Sequence, residues 1–309
     1  MARLSVSVSG GRTSAYMARW VLVNQAWVAD RLGSETQLDL VFTFANTGME
    51  DDDTLRFMRD VDHYLLDDRA VWLEAVPFYG RRVASGHREV DFETAFRNNQ
   101  WEDPAHPFHA VIRKYGVPNK TWQLCTRELK LNPMKSYLRS IGWAKGSYST
   151  AVGIREDESR RVSAEADGES LVYPLTHWSP TVKDDVLDFF KGLPWDLKIP
   201  EHRGNCVTCH KKSLPKLGLV FSEEPQFFDF NEAMERQYGG IGPEFAKHPE
   251  SPSRVFFRGR TPTTVIRQLF TEGSKCEKDL ARLRSLAEDG GCSESCEVYE
   301  TTEGVPTNG

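Results

Sequence analysis

The sequence predicts an α/β fold: a doubly wound, mainly parallel sheet followed by a mainly helical C-terminal extension. Three observations predict it. Four short segments, residues 4–8, 38–45, 70–76 and 147–154, read as strands with helical patterns between them, and strands alternating with helices build parallel sheets. The second segment is nearly all apolar (Leu40, Val41, Phe42, Phe44), as a strand covered on both faces must be. The first segment runs through Ser9-Gly10-Gly11 directly into an amphipathic stripe, the strand–turn–helix start of a βα unit.

The helical elements follow in order. Met17, Trp20, Val21 and Val28 make one apolar stripe; Leu55, Met58, Val61 and Leu65 make another. Asn132-Pro133 reads as N-cap and first helical residue ahead of Met134, Tyr137, Leu138 and Ile141, with Gly142 as the stop. Ser179-Pro180 repeats that start before Val186, Leu187, Phe189 and Phe190. Residues 77–120, rich in His, Asn, Arg and Pro, read as a long insertion serving as a lid. From about residue 215 the βα rhythm stops, which divides the chain into a nucleotide-binding domain, 1–215, and a helical extension, 216–309. From Glu288 the extension carries six acids and no Lys or Arg.

Composition bounds the class. The chain has 309 residues, 39% apolar and 27% charged, which is a folded rather than disordered balance. Its net charge of −6 argues against non-specific coating of nucleic acid but allows a local basic groove. No run approaches the roughly 18 apolar residues of a membrane span. No apolar stretch of signal length follows Met1-Ala2-Arg3, so the expected location is the cytoplasm, without a membrane partner. Six cysteines then read as thiols or metal ligands rather than a disulfide framework.

The chemistry concentrates at the ends of the strands, where doubly wound sheets bind ligands. Ser9-Gly10-Gly11-Arg12-Thr13-Ser14 has the makings of an anion site: glycines that let N–H groups face a phosphate, a helix N-terminus and three hydroxyls. The plain alternative is a tight βα turn. After the fourth strand come Gly153, Arg155 and Arg160; each arginine can clamp a phosphate or sulfate bidentately. The alternative pairs them with Glu156, Asp157 and Glu158. Arg127 and Lys130 carry the same two readings. Glu50, Asp51, Asp52 and Asp53 can hold Mg²⁺ or simply complement a helix dipole. Cys206-x-x-Cys209 is a metal-binding spacing that needs further ligands. Lys211, Lys212 and Lys216 just after it suit either a polynucleotide or solvent. The histidines show no metal-ligand spacing, and His106, His109 and His177 read as surface or lid residues. Trp178 reads as core, or as a neighbour of the nucleotide.

Taken in order, these motifs resemble the PP-loop adenine nucleotide α-hydrolase superfamily, the N-type ATP pyrophosphatases, and within it the phosphoadenylyl-sulfate (PAPS) reductase-like branch. The matching segments are Ser9–Ser14, Asn46-Thr47-Gly48-Met49-Glu50, Cys125-Thr126-Arg127-Glu128-Leu129-Lys130, Gly153-Ile154-Arg155 through Arg160-Arg161, Pro174–Trp178 and Cys206–Cys209. The resemblance spans residues 3 to 215. It implies a PP-loop, Rossmann-like domain binding ATP or a related adenine nucleotide (PAPS or adenylyl sulfate) through Ser9–Ser14, Asn46, Thr47, Gly48, Gly153 and Arg127. Arg155, Arg160 and Lys130 are the implied catalytic cations. The implied reaction is attack at the α-phosphorus of ATP with release of pyrophosphate, Mg²⁺ bridging the phosphates, linked to sulfur transfer.

The resemblance also places a metal ligand at Cys125. With Cys206, Cys209 and a fourth thiol (Cys292, or alternatively Cys296 or Cys276) it implies a [4Fe–4S] cluster, with zinc as the alternative. Free thiols, one of them a sulfur carrier, are a third reading. Two departures stand out. Arg12 and Thr13 replace the Lys and Asp of many PP-loops, and the Glu-Cys-Gly-x-His element of assimilatory reductases is absent; Cys292–Cys296 is the nearest thing. Reduction of PAPS or adenylyl sulfate, and a non-catalytic nucleotide-sensing or cluster-binding module, therefore stand as alternatives. A nucleic acid or a sulfur carrier is the expected acceptor class, and a homo-oligomer is compatible with the composition.

Overall fold

Alternation along the first strand sets the core. In the computed structural model, which describes residues 1–34, 37–80, 83–103 and 105–271, β1 (Ala2–Val8) turns Leu4, Val6 and Val8 to one face and Ser5 and Ser7 to the other. The chain continues through α1 (Arg12–Val23), α2 (Gln25–Arg31), β2 (Leu38–Asn46), α3 (Asp52–Leu65), β3 (Ala70–Val76) and β4 (Gly86–Val90). Then come α4 (Phe92–Asn98), α5 (Pro107–Tyr115), a π-helical segment Thr126–Leu131 and α6 (Asn132–Ser140). Beyond them lie β5 (Ser149–Ala151), α7 (Ala166–Glu169), β6 (Leu171–Val172) and α8 (Lys183–Lys191).

The strands form one sheet of order β4-β3-β2-β1-β5-β6, parallel except for the antiparallel edge strand β4. The register puts Leu4 beside Leu40, Val6 beside Phe42 and Val8 beside Phe44. That face packs against α1, α3 and α8. The opposite face, through Ala45 and Leu73, packs on Met134 of α6. Helices thus cover both faces, and the α/β class and largely parallel sheet agree with the sequence reading.

Local differences have physical causes. The fourth expected strand, 147–154, pairs only over Ser149–Ala151; Val152 and Ile154 are apolar because they enter a separate cluster with Leu171 and Tyr173. Asn132-Pro133 does open α6, with the proline in its first turn, but Asn132 is itself helical rather than a cap, because the π-helical segment runs straight into the helix. The helix after Ser179-Pro180 starts at Lys183, where the Asp185 carboxylate accepts the Val182 N–H at 2.9 Å. Residues 77–120 are not one irregular insertion: they supply β4, α4 and α5, and none of those described lines the cleft described below.

The chain then enters α9 (Leu214–Glu223), α10 (Phe227–Tyr238), α11 (Pro243–Lys247) and α12 (Thr263–Thr271). They share one core with α5: Val111, Ile112 and Leu129 pack with Leu217, Phe228, Met234 and Ile266. Residue 215 lies in the first turn of α9. The acidic tail from Glu288 lies outside the described residues, as do Cys276, Cys292 and Cys296.

His106 is fully buried rather than on a surface, stacked on Phe230 at 4.8 Å. Its Nδ1 accepts the His109 N–H at 3.1 Å, capping α5, so its Nε2–H donates to the Gly48 carbonyl at 3.0 Å. Both nitrogens are used in the neutral form, and burial lowers the pKa from 6.5 to about 4. The unfolded chain therefore binds this proton at higher pH than the folded chain. The stabilisation is complete above pH ~6.5 and is lost as pH falls toward ~4, costing roughly 3 kcal/mol in all. Urea unfolding at pH 7 and pH 4.5 should show this loss, and His106→Gln should flatten that part of the profile.

Candidate functional site

Strand order decides where a ligand can sit. The crossovers from β1 lead to β2 on one side and, later, to β5 on the other. The carboxyl ends of β1 and β5 therefore flank a switch point, where loops diverge and leave a crevice. A cleft of about 290 Å³ opens there, at the lower end of small-molecule pockets.

The loop after β1 forms one wall. Gly10 has φ +81°, and a Cβ there would lie 2.8 Å from Thr54 Cγ2 and 3.3 Å from Phe44, so only glycine fits. Gly11 differs: it is extended (φ −105°) and caps α1 without a side chain, and an added Cβ would meet only Ser9 Oγ, at 3.8 Å. The first N–H groups of α1 have no intrahelical partner, so this end of the cleft suits an anion. Ser14 braces the loop: its Oγ accepts the Ser9 N–H and donates to the Gly11 carbonyl, both at 3.0 Å.

The loop after β5 forms the facing wall. A Cβ on Gly153 would lie 3.0 Å from Ser14 Cα, so glycine lets the two loops touch. Arg155 is buried; its Nη1 donates to Thr13 Oγ1 at 2.9 Å. The same guanidinium grips Asp157 with two bonds of 2.9 and 3.1 Å and lies 3.4 Å from Glu158. Those hydrogen bonds hold the Asp157 carboxyl below its usual pKa. Arg12 is likewise engaged, bidentate to Asp196 at 2.7 and 3.0 Å and bonded to the Leu197 carbonyl. Arg160 and Lys183 also line the cleft; neither makes a close ion pair among the described residues, though the Lys183 charge also favours ionised Asp157. Val186, Leu187, Leu197 and Ile199 supply an apolar wall.

The structure therefore gathers Ser9, Gly10, Gly11, Arg12, Thr13, Ser14, Arg155 and Arg160 around one space, with Gly153 behind them. Asn46, Thr47 and Gly48 stand at the end of β2, outside that lining. The Asn46 amide donates to Glu74 Oε1 at 2.7 Å, and Thr47 Oγ1 donates to Glu50 Oε1 at 2.7 Å. Arg127 and Lys130 lie outside it too; exposed Arg127 pairs with Glu128 at 2.9 Å. The acids after β2 are engaged with the protein: Glu50 with Thr47, Asp51 with Arg203 at 2.6 Å, Asp53 with Arg56 at 2.6 Å. Trp178 packs edge-on against Trp27, in the core reading.

The half-buried thiols Cys125, Cys206 and Cys209 lie near the β2 end. Cys206 Sγ is 3.5 Å from Thr47 Oγ1, the Val207 N–H donates to Met49 O, and Cys125 and Val207 belong to one apolar cluster. Among the described residues no group of three or more His, Cys, Asp and Glu side chains is placed to hold a metal ion. A metal or cluster would need a ligand from outside them. Nor is any described helix long and apolar enough to cross a membrane.

Sequence reasoning missed Lys183 and the apolar wall. Lys183 gave no clear signal, because Asp184 and Asp185 follow it in the same first turn and complement the dipole.

No family model matches the sequence, and no solved structure matches the chain. One curated protein is similar along nearly its whole length. The uncharacterized nin region protein ORF290 of Escherichia phage lambda is 31% identical over 307 residues, covering 95% of this chain and 94% of the phage protein. The chain therefore belongs to the family of that phage nin region protein.

Proposed function

We propose that this chain is a PP-loop enzyme of the PAPS reductase-like kind, binding an adenine nucleotide in the β1–β5 cleft and cleaving ATP at the α-phosphate. One observation carries the reading: the glycine loop and the Gly153–Arg160 loop, picked out separately in sequence, meet at the sheet's switch point around a single cleft. The polyphosphate lies over the α1 N-terminus, where the dipole and unpaired N–H groups favour negative charge. Arg160 and Lys183 meet its charge, while Arg155 and Arg12, held by Asp157 and Asp196, shape the walls. The base rests against Leu187, Leu197 and Ile199.

In the reaction the acceptor's nucleophilic atom bonds to the α-phosphorus as the bond to the bridging α–β oxygen breaks. Pyrophosphate leaves with that electron pair, its charge met by Arg160 and Lys183. The link to sulfur transfer rests on the sequence resemblance. Cys125, Cys206 and Cys209 remain candidate ligands of a cluster or zinc, and no step is routed through them.

A pyrophosphate-release assay with ATP and a panel of thiol and nucleobase acceptors tests the reading. Acceptor-dependent release that is lost in Arg160→Ala supports it. Saturable ATP binding without release from any acceptor would instead favour a nucleotide-sensing module.

A further inference from the structure

A second feature lies on the same edge of the sheet. The chain is acidic overall, at −6, yet it has no Asp or Glu from Ala75 through Arg88, nor from Ala105 through Arg127. The fold brings these two acid-free runs together. The Tyr79 hydroxyl donates to the Ala110 carbonyl at 3.1 Å, and the Lys114 ammonium and Tyr115 hydroxyl both donate to the Val83 carbonyl, at 2.7 and 3.2 Å.

Their shared face is aromatic and basic. Phe78 is 45% exposed and Tyr79 49%, side by side on the surface. Phe78 rests its ring edge on Gly86, where a Cβ would lie 2.9 Å from Phe78 Cζ. The Arg113 guanidinium lies 5.0 Å from the Tyr79 ring centre, and the Lys114 ammonium 4.5 Å from that of Tyr115. Arg113 and Lys114 make no close ion pair among the described residues, though the Glu128 carboxylate attracts Lys114. Glu128 reaches this region but is buried, bonded to Ser85 and Arg127.

We propose that this face binds a single-stranded polynucleotide, with bases stacked on Phe78 and Tyr79 and phosphates met by Arg113 and Lys114. Exposed rings give any base a stacking surface, and neighbouring cations track the backbone. A protein partner with acidic side chains would match the charge but would leave the flat exposed rings unexplained. A duplex hides its bases and loses the stacking. Phe78 and Tyr79 follow the carboxyl end of β3, two strands from β1. That places the face on the order of 10 Å along the edge from the β1–β5 cleft, within reach of a strand lying across both.

The test is fluorescence anisotropy of a labelled twelve-nucleotide oligodeoxythymidine with the full chain, without added nucleotide, over a salt series. The expected result is saturable binding that weakens with salt, with the matching duplex bound at least tenfold more weakly. Phe78→Ala with Tyr79→Ala should weaken it by about tenfold or more, with the cooperative thermal transition retained and ATP affinity unchanged. Arg113→Ala should reduce the salt slope by about 0.7. Absence of binding, equal binding of the duplex, or undiminished binding by the double variant would overturn the proposal. Because ATP is omitted, oligonucleotide binding by a chain that ignores ATP would sink the cleft reading alone.

Discussion

Gly11→Leu is expected to abolish ATP binding, by at least a hundredfold, while the protein stays folded. The two loop glycines have different duties. Gly11 is extended, and a Cβ there meets only Ser9 Oγ at 3.8 Å, so leucine projects into the cleft and covers the first N–H groups of α1. Leucine is a poorer N-cap than glycine, which limits the stability loss to about 1 kcal/mol. Gly10 has φ +81° and Thr54 Cγ2 2.8 Å from where its Cβ would be. Gly10→Ala should therefore cost about 2–4 kcal/mol through backbone strain and overpacking. Calorimetric titration beside thermal unfolding separates the two. If Gly11→Leu binds ATP like the parent, the loop is only a turn.

The second large effect concerns the cleft's uncommitted cations. Arg160→Ala and Lys183→Ala should each weaken ATP binding by about tenfold to a hundredfold, as expected for the loss of a charge-assisted hydrogen bond. Adenosine affinity should hardly change, and the difference should shrink as salt rises. The contrast with Arg12 and Arg155 is deliberate, because both already carry carboxylate partners. Measuring ATP and adenosine side by side decides it. Equal losses for both ligands would give Arg160 and Lys183 a structural role.

How much of this was written locally can be read from particular residues. The apolar run Leu40–Phe44 and the alternation of Leu4, Val6 and Val8 announce buried parallel strands, because burial on both faces or on one leaves a local pattern. β4 (Gly86–Val90) leaves none: its Arg88 is explained by Glu74 on the neighbouring strand, a tertiary pairing. The glycine loop and Arg155 were legible as residues of one strand-end cleft because strand ends and helix starts have local signatures. What Arg12 does was not legible, since its partner Asp196 lies 184 residues away. The same holds for His106, a surface residue by composition, which is buried because α5 needs a cap and Phe230 lies against it. Asn46, Thr47, Arg127 and Lys130 match motifs in sequence, yet fold beside the cleft's neighbour strands rather than into its lining.

The most direct test of the central claim is calorimetric titration of the intact chain with ATP, paired with Gly11→Leu. Saturable one-to-one binding by the parent, lost in the variant, is the predicted result. No saturable binding by the parent, or the same affinity in both proteins, would contradict the assignment of the β1–β5 cleft to an adenine nucleotide.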